Sequence, residues 1–405
     1  MTHICSLSIV FPARLSLGRS RSADPAMRIS PSLRAFAAIL LLPLAAQAAP
    51  AAEPSAFDKL WSHSLLLSGT KDDFFQELRF IGREQFDWYS FGNGTDDRSG
   101  WGNRRSRLGL KGQFLQNWYF STEFDFNVGA PHPLFNKITD AYLKWSPDAT
   151  QAWTIGRQGV RFTLDGSTSS LVLPTIDRSL ISYNIGLIEE SIPGISFEGD
   201  RGKWFYRAGV FTSGTADPYF GKFNAGLLGL VSTGWHFDEQ WGLEKAFVRM
   251  DYLLLGDDPQ NSTGTPQMFC RNNQQAVSLN GQFTQGPWTL NVDLCASQGQ
   301  GTQSDLHGLE FEPIYNLSAD WQLVFRYTYL ASKLDNGVFT TRYESWVTAG
   351  HGDHYQEYYL GLNRYFYGHK LKWMLGLEHA RMYDRASDGG SYNGWGFTSG
   401  FRVSW

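Results

Sequence analysis

From about residue 75 onwards the chain alternates apolar and polar residues in short runs separated by Gly, Asn, Asp, Ser and Pro. The pattern is cleanest over 288–294. Trp288, Leu290, Val292 and Leu294 fall on one face, and Thr289, Asn291 and Asp293 on the other. A period of two is that of a β-strand with unlike faces. A slip of one residue would turn Asp293 to the apolar side, so register and orientation are set together. By the same phase Leu323, Phe325, Tyr327 and Tyr329 point one way, and Gln322, Arg326 and Thr328 the other. Seven short polar turns are each followed by a tryptophan that opens such a run: Trp118, Trp153, Trp204, Trp241, Trp288, Trp321 and Trp373. Indole has an apolar body and one N–H donor, and it favours a membrane–water interface. One tryptophan at the same end of every second strand reads as an aromatic girdle. The pattern predicts an all-β chain, a transmembrane antiparallel β-barrel.

Pairing each rising strand with a return gives eight hairpins. They are 75–88 with 104–114, 118–127 with 138–145, 153 onwards with 194–198, and 204–211 with 225–237. Then come 241–255 with 275–283, 288–296 with 307–317, 321–330 with 355–366, and 373–383 with 395–405. About sixteen strands with a polar inner wall enclose a water-filled channel rather than a packed core. In the last strand Trp395, Phe397, Phe401, Val403 and Trp405 share one face, and the chain ends on an aromatic residue.

The other end reads as an export signal. Met27 is the expected start. Arg28 and Arg34 form a basic region, Ala35 to Ala46 a short apolar core, and Ala46-Gln47-Ala48 a small-x-small cleavage site. Three parts are expected: a leader over 1–48, a short periplasmic segment over 49–74, and the barrel over 75–405. No later run approaches the roughly 18 apolar residues of a membrane helix. A soluble β-sandwich could share the alternation, but its turns would not be girdled by tryptophan. The whole chain holds 35 basic and 39 acidic residues. Without the leader's five arginines and one aspartate, 30 basic face 38 acidic residues, a net charge of −8. That argues against a nucleic-acid partner. Of three cysteines, Cys5 leaves with the leader. Cys270 and Cys295 are both candidates for the extracellular rim, where an export compartment permits a disulfide, and whether they pair stays open.

The long connections fall opposite the tryptophan turns. The longest, 160–193, contains Phe162, Leu164, Leu171, Val172, Leu173, Ile176, Leu180 and Ile181, too apolar a set for a freely solvated loop. This third extracellular loop is expected to fold into the lumen, the other possibility being an ordinary exposed loop.

Three stretches carry a family resemblance. The first runs Asn103-Arg104-Arg105-Ser106-Arg107-Leu108-Gly109-Leu110-Lys111-Gly112 into Asn117-Trp118-Tyr119-Phe120 and Glu123-Phe124-Asp125-Phe126. The second is Thr139-Asp140-Ala141-Tyr142-Leu143-Lys144. The third is Ile155-Gly156-Arg157, then Phe162 to Ser170, closing with Asp177-Arg178-Ser179-Leu180. Together they resemble the phosphate-selective porin O/P family over roughly 75–180. The resemblance implies a sixteen-stranded homotrimeric outer-membrane channel whose third loop lines a constriction. It also implies anion contacts from an Arg-Arg pair such as Arg104-Arg105, and hydroxyl donors from Thr168, Ser169 and Ser170. Asp165 and Arg178 belong to the same loop motif.

Strand phase independently turns Arg79, Arg83, Arg105, Arg107 and Lys111 towards the lumen. Clustered guanidinium groups there would attract anions. Glu77, Asp87, Glu123 and Asp125 share the wall, and simple pairing is the other reading. Two departures weigh against strict phosphate selectivity. The family's loop lysine is replaced in Leu164-Asp165-Gly166, and the later loop 256–266 lacks an arginine ladder. The expected function is passive diffusion of small hydrophilic solutes, with small inorganic or organic anions among them. Expected partners are membrane lipid, lipopolysaccharide and further copies of the chain. No cofactor, metal or catalytic set is expected. The alternatives are a non-conducting structural or adhesion barrel, and a barrel hydrolase built on His351, Asp353, His354 and Glu357.

Overall fold

The computed structural model describes residues 55–129, 133–186, 191–212, 219–220, 226–256, 273–340, 343–348 and 350–405. The leader, its cleavage site and Cys270 lie outside the described residues. The chain begins with a helix, α1 (Ala56–Ser62), and a short strand, β1 (Leu65–Ser68). Barrel strands follow: β2 (Phe75–Gly92), β3 (Asp97–Phe114), β4 (Trp118–Phe126), β5 (Phe135–Asp148), β6 (Gln151–Gly159), β7 (Ser191–Arg201), β8 (Trp204–Thr212) and β9 (Leu227–His236). They continue with β10 (Lys245–Leu255), β11 (Asn273–Gln285), β12 (Trp288–Gly299), β13 (Leu306–Asn316) and β14 (Trp321–Ser332). A two-residue ladder, β15 (Val338–Phe339) with β16 (His351–Gly352), interrupts the next loop. Then β17 (His354–Tyr367), β18 (Leu371–Tyr383) and β19 (Tyr392–Ser404) finish the wall. One-turn helices α2 (Leu164–Ser167) and α3 (Leu180–Asn184) lie between β6 and β7, and α4 (Asp238–Trp241) between β9 and β10.

All sixteen expected strands are present, each antiparallel to the next, and β19 pairs with β2 to close the barrel. Some boundaries differ. Trp241 was expected to open a strand, but Asp238–Trp241 coil into α4, which ends at Gly242 with φ +64°, and β10 starts at Lys245. The indole stays in the girdle, stacked on Phe237 at 4.7 Å and on Phe283 at 5.7 Å. The first hairpin is longer than the alternation indicated. Its strands run on to Gly92 and Asp97 and turn through Asn93, whose side chain accepts from the backbone N–H groups of Thr95 and Asp96.

Alternation sorts the wall into two faces. Trp288, Leu294, Leu323, Phe325, Leu360, Leu377 and Phe401 are exposed on the outside, whereas Asp293, Arg326, Thr328 and Glu357 are buried on the inside. At the short-turn end the outward aromatics stack between strands, as with Trp118 on Trp145 and Trp288 on Tyr315.

The seam between first and last strands is sealed along its whole length. From Gly92 down to Arg83, β2 pairs with β19. Gly82 and Trp405 then exchange two backbone bonds of 3.0 and 3.2 Å. Below them β1 takes over the edge of β2, pairing Leu65 with Arg79 and Ser68 with Glu77, and the Trp61 indole donates to the Ser404 carbonyl. The Trp405 ring rests on Gly82, where a Cβ would stand 2.3 Å from it. Gly82→Ile should displace the C-terminal ring and open the seam. The check is the fraction of refolded protein that shows the heat-modifiable band on SDS gels; it should fall well below that of Gly92→Ala at the other end of the same pairing.

Candidate conduction path

Building the inner wall starts at β3. Gln85 pairs with Arg105 and Phe86 with Asn103, so Arg104 is an extra residue, a β-bulge. It lets two consecutive arginines leave the strand on the inner side, where strict alternation would send one of them outwards. Arg104 reaches Asp177 at 2.7 Å, and Arg105 donates to Gln85 Oε1 at 2.6 Å. Three more wall arginines are also engaged. Arg83 meets Glu123 at 2.8 Å; Arg107 lies 3.3 Å from Glu123 and 3.6 Å from Asp125; Arg79 meets Glu77 at 2.6 Å. Asp87 takes Arg402. Pairing with carboxylates is therefore the arrangement adopted by Arg79, Arg83 and Arg107, which strand phase turned inwards.

Among the described residues, the segment after β6 makes polar contacts with inward side chains of eight strands, Asn273 of β11 donating to the Asn184 carbonyl. Arg83 of β2 donates to Ser170 Oγ at 2.8 Å, and Arg104 of β3 holds Asp177. Arg249 of β10 donates to the Thr163 carbonyl, and Asp293 of β12 accepts from the Leu164 N–H at 2.7 Å. Arg326 of β14 donates to Thr175 and to the Asp177 carbonyl. Asn363 of β17 reaches the Pro174 carbonyl, and Lys372 of β18 the Leu173 carbonyl. Within the segment Asp165 accepts from Ser182 Oγ at 2.6 Å and the Ser179 N–H, and lies 3.7 Å from Arg178. Phe162, Leu180, Ile181 and Ile185 pack with Leu228, Leu230, Leu253 and Leu330 of the wall in one buried cluster. The apolar character noted in the sequence is accounted for by this packing; only Val172 of the eight apolar residues is among the exposed ones.

A second loop contributes that sequence reasoning missed. Between β15 and β16, Tyr343 donates to Asp87 at 2.6 Å, and Glu344 accepts from the Tyr355 hydroxyl at 2.6 Å. Asn184 ties the two loops together, donating to the Phe339 carbonyl and accepting from its N–H. The only sequence signal was a pair of aromatic residues, Tyr343 and Trp346, in a long connection.

Among the described residues, two cavities lie along the inner wall beside this segment. The larger, about 830 Å³, opens at the short-turn end and is lined by Glu77, Lys111, Tyr119, Tyr142, Lys144, Glu198 and Arg207, among others. The smaller, about 280 Å³, lies between the wall and the segment 166–170. Arg83, Arg107, Arg178, Thr168, Ser169 and Ser170 line it, with Lys144, Arg161, Arg207 and Glu198. Tyr142, Lys144, Glu198 and Arg207 border both, so the two cavities adjoin. Of the sequence-derived candidates, Arg83, Arg107, Arg178, Thr168, Ser169 and Ser170 meet here. Lys111 lines only the larger cavity, and Arg79 turns aside to Glu77. Arg104, Arg105 and Asp165 stand behind, holding loop and wall. Lys144, Arg161, Glu198 and Arg207 were missed. Lys144 was legible by phase, two residues beyond Tyr142 and four beyond Asp140 on the same face. Arg207 sits in a strand, WFYRAGVFT, whose alternation is too weak to assign a face.

Asp353 does not join its histidine neighbours. Its carboxylate accepts from the Arg385 and Asn336 N–H groups, while His351 lies against Phe339. Among the described residues no group of His, Cys, Asp and Glu could hold a metal ion. Cys295 is buried, its thiol donating to Asp293 Oδ1 at 3.1 Å.

Burial pushes the Glu344 carboxyl up to about 8, against the lowering effect of the Tyr355 hydrogen bond. An unfolded glutamate titrates near 4.3 (approximately). The folded state therefore binds the extra proton between those values, and its stability falls as pH rises through that window. Glu344→Gln should flatten this part of the stability–pH curve, measured by urea unfolding in detergent between pH 5 and 9 (roughly the window those values define).

Residues 81–226 match the family described as phosphate-selective porin O and P. No curated protein sequence matches the chain. Among solved structures, the chain is similar to Pseudomonas putida OprB, with a TM-score of 0.60 at 12% identity over 81% of this chain and 94% of that one. It is similar also to the anion-selective porin of Comamonas acidovorans, with a TM-score of 0.56 at 13% identity over 81% and 99%. A third likeness is Salmonella typhi OmpF, with a TM-score of 0.57 at 11% identity over 81% and 98%. At these identities the likeness is one of fold. Closed barrel and family together indicate the bacterial outer membrane. The chain is a sixteen-stranded barrel similar in fold to solved porins, and its residues 81–226 match the family model described as phosphate-selective porin O and P.

Proposed function

We propose that this protein is a passive outer-membrane channel for small hydrophilic solutes, with a modest preference for anions, and that it works as a homotrimer. What supports the channel reading is a pair of adjoining polar-lined cavities that share Tyr142, Lys144, Glu198 and Arg207, one open at the short-turn end and the other between the wall and segment 166–170. On this reading that segment is the constriction, and no catalytic group is needed: a solute moves down its gradient past paired charges and hydroxyls. The anion preference draws on the cations that border the smaller cavity. It fits the family match and the anion selectivity of the Comamonas acidovorans porin, although strict phosphate selection is not part of the proposal.

The trimer reading has its own support in the outer face of the first hairpin. Glu84 pairs in register with Ser106, between inward Arg83–Arg107 and Gln85–Arg105, so it faces outwards. It lies above the girdle at Phe114 and Trp118 and below the outward Trp88 and Trp101. Ser106 donates to its carboxylate, as does the Asn103 amide. A carboxylate at that depth is costly against lipid and is better covered by protein. Membrane lipid and lipopolysaccharide would surround the remaining faces.

Purified protein is expected to run as an SDS-resistant trimer and to open stepwise conductances in planar bilayers. A folded barrel without conductance would leave a structural or adhesive role instead. Deleting 168–173 should raise single-channel conductance, because it removes the hydroxyl face of the smaller cavity. Glu84→Leu should weaken the trimer in SDS without changing the conductance of trimers that form.

The arginines of β3 are expected to behave as wall struts. Arg107 already sits between Glu123 and Asp125, so Arg105→Glu combined with Arg107→Glu buries like charges. Breaking a buried pair costs roughly 3–5 kcal/mol, so a fall in folding yield should outweigh any change in reversal potential.

A further inference from the structure

The outer wall of β10 to β19, at its long-loop end, carries an uneven charge. The outward residues there meet one another across the ladder. Gln275 pairs with Gln298, Ala296 with His307, His307 with Ala331, and Ala331 with His354. One step lower, Gln356 pairs with Arg381, and Arg381 with Asn393. None of these is a carboxylate, although acidic residues outnumber basic ones in the chain, 39 to 35. The acids of these strands, Asp251, Asp293, Glu310, Glu312, Glu357 and Glu378, all have inward phase. Asp384, just beyond β18, is turned to its own loop, where it accepts from the N–H groups of Ser387, Asp388, Gly389 and Gly390.

Aromatic rings mark the depth of this row. Tyr327 lies on Tyr358 at 5.1 Å and His379 on Trp395 at 4.7 Å, and these outward rings make a second girdle opposite the tryptophans of the short turns. Beneath them Leu360, Leu377 and Phe397 are exposed, at the level of acyl chains. Arg381 stands one outward step above His379, about 7 Å along the strand, which is headgroup level. Its Nε donates to Asn393 Oδ1 at 3.1 Å, and that bond fixes the plane of the guanidinium. Among the described residues Arg381 forms no ion pair, and its two terminal nitrogens have no acceptor. A guanidinium with that edge free fits two oxygens of a phosphate.

The surroundings decide what carries the phosphate. A free phosphate gains nothing from the rings and leucines below, whereas a lipid lays its chains on them. Gln356 and His354 on one side and Asn393 on the other add amide and imidazole groups, which suit sugar hydroxyls better than a glycerol backbone. We infer that Arg381, set by Asn393 and flanked by His354 and Gln356, forms a site on the outer wall for the phosphate of an outer-leaflet glycolipid, lipopolysaccharide. The inference rests on placing the barrel in the outer membrane with its long loops outwards, and it is independent of conduction. The row lies on strands other than the first hairpin, which carries the proposed subunit contact.

The test is lipid retention by the delipidated protein in detergent, read by native mass spectrometry. The probes are rough lipopolysaccharide, the same lipid enzymatically dephosphorylated, and phosphatidylglycerol. The phosphorylated form should be retained about ten-fold better than the dephosphorylated one, the loss expected for one charge-assisted pair. Arg381→Gln should bring it down to the dephosphorylated level, and Arg381→Lys should keep part of the difference. Both variants leave the lumen unchanged, so heat modifiability and single-channel conductance should equal those of the parent. Equal retention of the two forms, or parent-like retention by Arg381→Gln, overturns the site. Phosphatidylglycerol held as tightly overturns the glycolipid assignment, and full displacement by equimolar inorganic phosphate overturns the choice of a lipid. A barrel that conducts yet retains no lipopolysaccharide sinks this inference alone; one that neither inserts nor conducts sinks the outer-membrane channel reading as well.

Discussion

A strand that meets lipid has nowhere to put an unpaired N–H or C=O except on another strand. Everything else in this fold follows from satisfying that demand for sixteen strands at once. The ladder must close, and β19 meets β2 in register to close it. β19 stops short of the lower end of β2, so a separate piece of chain, β1, covers the remaining edge, and Trp61 caps the last carbonyls. Gly82 is needed where the terminal indole must lie flat on the seam. These features have no bearing on transport. They make a container that cannot fray at its one junction.

Closure at sixteen strands leaves more volume than inward side chains can fill. The interior is then divided unequally. On the side of β9 to β14 the loops pack with inward leucines as a small apolar core. On the side of β10 to β18 the loop backbone is also pinned by Arg249, Asp293, Arg326, Asn363 and Lys372. Water is left to the side of β2 to β8. Ion pairs do opposite jobs in the two regions. Arg326 with Glu357, buried and hydrogen-bonded, positions a loop; Lys144 with Glu198, a third exposed, leaves charge where a solute could meet it. Their contributions to stability differ accordingly, since the exposed pair is screened by water and salt.

Most of the fold was legible because a barrel strand repeats one simple constraint many times. Sixteen alternating runs with tryptophan at every second start leave little freedom, and the displaced tryptophan start, at Trp241, reflects a turn that found enough residues to coil. The cavities were less legible. Strand phase gave Arg83 and Arg107 a face, but phase says nothing about which carboxylate each will find across the wall. Arg104 was out of reach of phase, since a bulge is announced by no residue type here. The cluster of Lys144, Arg161 and Arg207 around Glu198 joins three strands and a loop that are distant in sequence, so no local pattern could have collected it. Cys270 falls outside the described residues, whereas Cys295 spends its thiol on Asp293.

The bulge at Arg104 has a consequence for how such a wall can change over generations. In a regular strand a one-residue insertion is ruinous, because every side chain beyond it exchanges water for lipid. Here the extra residue is absorbed where it stands. Asn103 still pairs with Phe86 and Arg105 with Gln85, and Trp101, 80% exposed, still faces outwards opposite Trp88. Removing Arg104 would leave an uninterrupted ladder with both flanks unchanged. A single inserted codon can therefore add a guanidinium to the interior of a barrel without disturbing its exterior. That is a shorter route to a new lumen charge than recruiting one from an existing position already spoken for by the opposite wall.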